Sequence, residues 1–300
     1  MSLVTSFNNL KLRTKVWGLV LIPFIGVIFL SATFININYK RYVVSQKVKS
    51  NIAFITRVQS LVHQMQIERG MSVQFVTGKD IMVKLREQRG KVDTEMEKFE
   101  AVKGDRKYPS YQAAMSALPE IRNQVNNRQG ETDGSSAAKA ITELIGKLFS
   151  FYIDSIDLQY ASEINVSADI GSLRLLEEAK ENNGKMRANL SGIFVADAPV
   201  PSARVNAIIK MKLGIDSSIY SPLMSLADEN KKKITEFKSL EHWKTVEKNY
   251  DTFLELAENG KYGVDSGNFF DSITKCINDL NGVILNQYKV FDAKVKDIES

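Results

Sequence analysis

The chain has 300 residues, 44% hydrophobic and 25% charged, which is ample apolar material for a folded core and excludes disorder of the whole. A single cysteine, Cys276, excludes an internal disulfide framework and any cysteine-based zinc site, and reads as a buried packing residue. Of the 40 basic residues, Lys11, Arg13 and Lys15 precede the first hydrophobic segment, so the other 37 face 35 acidic ones and the net +5 makes no strong claim on nucleic acid.

Only 6 prolines and 17 glycines punctuate this length, and strand-like runs are missing almost everywhere, so the fold class is all-α. Residues 1–15 form a basic leader with no acid, and Val16 to Ile35 an uncharged stretch long enough to span a bilayer as a helix. The positive-inside rule makes 1–15 cytoplasmic and 16–35 an uncleaved membrane anchor in the inner (cytoplasmic) membrane. Residues 36–300 are then an extracytoplasmic domain, periplasmic in such a cell.

Val44, Val48, Asn51, Ile55, Val58, Val62, Met65, Arg69, Ser72 and Val76 fall at alternating spacings of four and three, the seam of a helix packed in a bundle. Gly78 ends it, and Asp80 is positioned to cap a second helix to about Val102. The link KGDRKYPS leads to a third helix, started or interrupted at Pro119 and closed by RQGETDGSS. From Ser136 one very long helix is expected as far as the turn ADAPVPSA. A helix from about Ser202, a charged helix from about Asp228 to Asn259, the turn GKYGVDSG and a last helix to Ser300 complete the order. This order suggests two stacked antiparallel four-helix bundles sharing the long helix. A chain ending inside a helix is expected to be part of a longer protein.

Arg69 occupies a seam position where apolar residues are otherwise found. A guanidinium removed from water there pairs with a carboxylate on a facing helix, snorkels outward, or holds an anion between helices. Gly70 beside it allows close approach of a backbone or a small ligand. Arg187 shares a helix face with Lys180 and Asn183, for which a solvated face is the default reading. His63 and His242 have no metal-motif partner, and no catalytic constellation occurs; no enzyme activity, metal or cofactor is expected. ERGMSVQFVTGKD and MRANLSGIFVADA form a faint internal echo around the two arginines.

The segments LVHQMQIERGMSVQFVTG, LREQRGKVD and EEAKENNGKMRANLSGIF resemble the nitrate- and nitrite-sensing NIT domain of bacterial chemoreceptors, sensor kinases and related regulators. The resemblance covers about Lys49 to Lys289, and LKLRTKVWGLVLIPFIGVIFL also resembles the start of a methyl-accepting chemotaxis protein. It implies two stacked four-helix bundles with a small planar anion, nitrate or nitrite, held between helices by Arg69 and Arg187, with Ser72 as a lesser ligand. Glu68 stands where some members carry a further arginine, and Arg204, Lys210 or Lys212 are open as a later basic ligand. The implied protein is the sensing region of a chemotaxis-type receptor working as a homodimer in the membrane. A sensor for a different ligand, or a membrane-anchored coiled coil with none, are the other classes.

Overall fold

The computed structural model describes residues 11–103, 108–127, 135–154 and 167–297, and among them regular structure is helical with no strand. The helices are α1 Leu12–Val76, α2 Met82–Lys103, α3 Pro109–Asn126, α4 Ser135–Asp154, α5 Ser167–Ala196, α6 Ser202–Ile219, α7 Asp228–Glu236, α8 Glu241–Leu256 and α9 Ser266–Asp297. A short 3₁₀ turn, Phe237–Ser239, follows α7.

The sequence positions α1 well. It runs unbroken for 65 residues through Pro23, and its first part, Leu12–Lys47, is long and apolar enough to cross a membrane. Within the predicted seam Val44, Ile55, Val58, Val62, Met65, Arg69, Ser72 and Val76 are buried, whereas the side chains of Val48 and Asn51 lie outside the described residues. After Val76 the chain turns at Gly78, whose φ of 105° lies in the region glycine tolerates best.

Three boundaries differ from expectation. α3 begins at Pro109, a first-turn position where proline's missing N–H costs little, and it passes through Pro119 to Asn126. Pro119 lies on the exposed face, where water can satisfy the carbonyl that proline leaves unpaired. The charged helix expected from Asp228 to Asn259 is two helices, because Leu240 is extended (φ −66°, ψ 136°) and the buried Phe237 turns in against Trp243, ring centroids 5.1 Å apart. Asp80 does not cap α2, which starts two residues later at Met82. The expected continuity of one helix from Ser136 to the ADAPVPSA turn depends on residues 155–166, which lie outside the described residues, as do the leader residues 1–10 and the end 298–300.

Contacts sort the helices into two sets. In the first, α1 packs on α2, α3 and α4, and α3 on α4; in the second, α5 packs on α6 and α9, and α9 on α7 and α8. The sets meet where α5 touches α1 and α4 and where α9 touches α1. Phe54, Phe99 and Tyr111 centre the first set, with Phe99 4.7 Å from Tyr111; Phe194, Phe269, Tyr262 and Phe253 centre the second. One apolar core links both, from Val44 to Val295.

The register of α5 on α9 is fixed at one end by their turns. Asp197, at φ 49°, accepts the backbone N–H of Tyr262 on its side chain at 2.7 Å and that of Lys261 on its carbonyl at 3.1 Å. Gly260, at φ 67°, lies so close that a Cβ there would stand 2.8 Å from the backbone carbon of Ala198. With that end pinned, Arg187 on α5 is carried to Thr274 on α9.

Candidate anion site between α1 and α5

The two helices approach each other at a pair of glycines, each covered by the arginine of the opposite helix. A Cβ on Gly70 of α1 would stand 2.8 Å from Arg187 Nη2, and a Cβ on Gly184 of α5 would collide with Arg69 Nη2. The absence of side chains there gives both guanidinia room to lie in the interface instead of at its rim. Both arginines are buried, Arg69 fully and Arg187 at 2% exposure.

Arg69 follows the ion-pair alternative. Its Nη1 and Nη2 donate to the two oxygens of Glu181 at 2.8 and 3.2 Å, a bidentate pair, and Nη1 also donates to Thr142 Oγ1 at 2.9 Å. Gln66 Nε2 donates to the same carboxylate at 2.8 Å, and Lys185 stands 3.8 Å from it at the partly exposed edge. The charge of Arg69 is therefore compensated within the protein.

Arg187 is different. Its Nη1 donates to Thr274 Oγ1 and its Nη2 to the carbonyl of Gln66, both at 2.9 Å, and its Cζ lies 4.8 Å from the centre of the Phe270 ring. None of these partners carries a negative charge. Among the described residues Arg187 makes no salt bridge, and burial, followed by the nearby Arg69, lowers its pKa to about 9 against the opposing pull of Glu181. It is still a cation at neutral pH. The bidentate fork of a guanidinium in this state suits a small trigonal oxyanion.

The model of a family described as nitrate and nitrite sensing matches residues 60–288, spanning both arginines and the second set of helices except the last turns of α9. The chain belongs to the NIT family. The solved structure described as "Structure of the NasR transcription antiterminator" is similar at a TM-score of 0.70 and 16% identity, covering 91% of this chain and 75% of that one, a likeness of fold. No curated protein matches the chain. NIT is a sensory family, and the positions of Arg69 and Arg187 fall inside its match.

All three residues singled out in the sequence as NIT ligands present a buried polar atom without a hydrogen-bond partner among the described residues: Arg69 Nε, Arg187 Nε and Ser72 Oγ. Asn183 Oδ1 and Ser191 Oγ, four residues before and after Arg187 on α5, do likewise, as does His63 Nδ1 on α1.

Sequence reasoning missed part of this site. Lys180 and Asn183, expected on a solvated face, are both fully buried, because α5 is surrounded by α1, α4, α6 and α9. Lys180 Nζ lies 2.8 Å from Glu177 and 3.4 Å from Asn281 Oδ1. Burial raises the Glu177 pKa, and Lys180 opposes that rise. His63 is held neutral: burial, then Lys180 and Arg187, depress its pKa to about 3. The signal for Lys180 was its spacing of seven from Arg187, two helical turns along one face.

Other candidates are engaged elsewhere. Glu68, which would repel an anion if it faced the site, points from α1 into the first set, where Arg122 grips it with two bonds of 2.8 Å and Arg89 stands at 3.4 Å. Lys212 pairs with Asp216 at 2.7 Å and Glu247 at 3.4 Å, beside Trp243, and Lys210 is exposed. The Arg204 side chain is half-buried and close enough to Tyr262 to influence its ionisation. His242 pairs with Asp279 at 2.7 Å, and Cys276 is buried with its thiol pKa pushed up by burial.

Proposed function

We propose that this chain is the sensing region of a membrane-anchored bacterial receptor of the chemotaxis type, and that it binds nitrate or nitrite between α1 and α5. Arg187 is the principal ligand, with Arg69 and Ser72 beside it. In this reading residues 1–15 are a cytoplasmic leader, 16–35 cross the inner membrane and 36–300 form two stacked four-helix bundles in the periplasm, sharing the helix that begins near Ser136. The receptor works as a homodimer. The NIT family match supports the ligand class, and the apolar start of α1 supports the anchor.

The observation that carries the reading is Arg187, a buried cation whose hydrogen-bond partners among the described residues are all neutral. Charges buried without a counter-charge are unfavourable by several kcal/mol, so an anion that arrives there relieves an existing cost. Among the described residues Arg69 pairs with Glu181 and Lys180 with Glu177, which leaves Arg187 over, and Lys185 at the edge adds to the same side. A monovalent anion reduces this surplus.

The test is Arg187→Met in the full chain, reconstituted in nanodiscs and melted with nitrate or with chloride at equal ionic strength. Ligand confined to the folded state stabilises it by about 2.7 kcal/mol at one hundred times Kd, so the wild type is expected to melt higher in nitrate. The variant is expected to lose that rise while its stability in chloride stays the same or increases, since methionine of similar volume removes an uncompensated charge. A nitrate response that survives in Arg187→Met rules the site out.

A further inference from the structure

The guanidinium of Arg187 is packed between Gly70 of α1 and the ring of Phe270 on α9. A Cβ on Gly70 would stand 2.8 Å from Nη2, 3.0 Å from Cζ and 3.1 Å from Nε. A point as near to the central carbon as to two of its nitrogens lies over the plate, since a point off its edge would be clearly farther from the carbon. Arg187 Cζ also sits over the ring of Phe270, 4.8 Å from its centre, and the ring is itself half-buried. The exposed Lys79 holds its ammonium 6.0 Å from the same ring, at the end of α1. At the rim, Thr274 and the Gln66 carbonyl take one bond each, and Nε–H has no partner among the described residues.

We propose that Phe270 is a specificity-determining residue of this anion site, admitting planar monovalent oxyanions edge-on and rejecting tetrahedral dianions such as sulfate; the inference rests on the nitrate-binding reading above. Shape gives the first reason. A trigonal anion coplanar with the guanidinium has no atoms above or below the plane, whereas a tetrahedral one is thicker and projects oxygen toward the packed neighbours Gly70 and Phe270. Hydration gives the second. An aromatic ring at the outer side keeps water from the cation, and a dianion loses far more hydration than a monoanion on entering a dry site. Phe270 carries no charge, so its effect falls on which anion fits and not on the balance of charge.

The experiment uses the full chain in nanodiscs, titrated calorimetrically with nitrate, nitrite and sulfate at ionic strength balanced by chloride. Wild type is expected to prefer nitrate over sulfate by roughly tenfold or more, and Phe270→Ala to shrink that preference by roughly tenfold, mainly through a gain for sulfate. Phe270→Leu, which fills part of the space without a flat ring, is expected to fall between them and serves as the deciding variant if the alanine protein loses its helical circular dichroism. A nitrate-to-sulfate ratio unchanged in both variants overturns the inference and leaves the nitrate reading standing. A wild type that binds no nitrate, or an Arg187→Met protein that binds it as well as wild type, overturns both.

Discussion

At the scale of the residue, the two arginines of the site differ in what happens when each is removed. Arg69 is bound in a bidentate pair, so Arg69→Met strands the Glu181 carboxylate, and the loss expected for a broken buried pair is about 3–5 kcal/mol. Lys185, 3.8 Å away, places the result toward the lower end of that range. Adding Glu181→Gln, which keeps an acceptor for Gln66, is expected to recover most of the loss; denaturant unfolding of the three proteins measures it, and a single variant as stable as wild type refutes the pairing. His63 makes a separate prediction about pH. Its folded pKa of about 3 lies below the unfolded 6.5, because burial and then Lys180 and Arg187 disfavour the imidazolium. Below pH 6.5 the unfolded chain takes up a proton that the folded chain refuses, so this contribution is fully present above that pH and drains away as pH falls toward 3. Glu177, whose pKa is raised by burial, acts with the opposite sign, so the quantity to follow is the difference between wild type and His63→Gln. Between about pH 7.5 and about pH 5 the wild type is expected to lose denaturant resistance relative to the variant, and parallel curves would show that His63 is not held neutral.

At the scale of the element, the first helix was legible and the fifth was not. The α1 heptad is a pattern of apolar residues at fixed spacing, and every one of its described seam side chains is buried. In α5 the same logic fails, because Glu177, Lys180, Glu181, Asn183 and Arg187 are all buried, and an amphipathic pattern reports only helices with a wet side. Partners of the arginines were beyond reach for a related reason: Glu181 lies 112 residues from Arg69, and Thr274 87 from Arg187, and periodicity says which face is buried without saying what it meets. The split between α7 and α8 escaped because no proline or glycine marks Phe237–Leu240; the break depends on burying Phe237 against Trp243. The crossing of α1 and α5 gives this scale its own prediction. Alanine is favoured over glycine in a helix interior by about 1 kcal/mol, so Gly70→Ala and Gly184→Ala would stabilise isolated helices. Here each added methyl meets a guanidinium, and overpacking is expected to reverse the sign, with a net loss of about 1–2 kcal/mol and weaker nitrate binding. Thermal melts with and without nitrate decide it, and a gain in stability at both positions would contradict the close crossing.

At the scale of the whole molecule, α1 and α9 both run from the site to the far end, as does α5, whose Asp169 accepts from Lys294 of α9 at 2.7 Å. Arg187 bonds to the α1 backbone at Gln66 and to Thr274 on α9, while farther along the same helices Ser45 Oγ donates to the carbonyl of Val295 at 3.4 Å. From Arg69 back to Ser45 is 24 residues of unbroken helix, about 36 Å at 1.5 Å per residue, ending ten residues from the uncharged stretch Val16 to Ile35. A ligand can move this pair only if it binds their two arrangements unequally, and the neutral partners of Arg187 supply the means: an anion at its rim competes with the bonds to Gln66 and Thr274, one on each helix. The predicted motion is a shift of α9 against α1, of the small sliding kind that packed helices allow. Ser45→Cys with Val295→Cys reads it directly, since the only native thiol, Cys276, is buried with its pKa raised and stays a silent background. In nanodiscs, the rate of disulfide formation between the introduced cysteines is expected to change by roughly threefold or more when nitrate replaces chloride, and not to change when Arg187→Met is added, because bridging demands Cα atoms within about 7 Å and is sensitive to small displacements. Equal rates in nitrate and chloride, from a protein whose nitrate binding is intact, would show that the signal leaves the site by some route other than this helix pair.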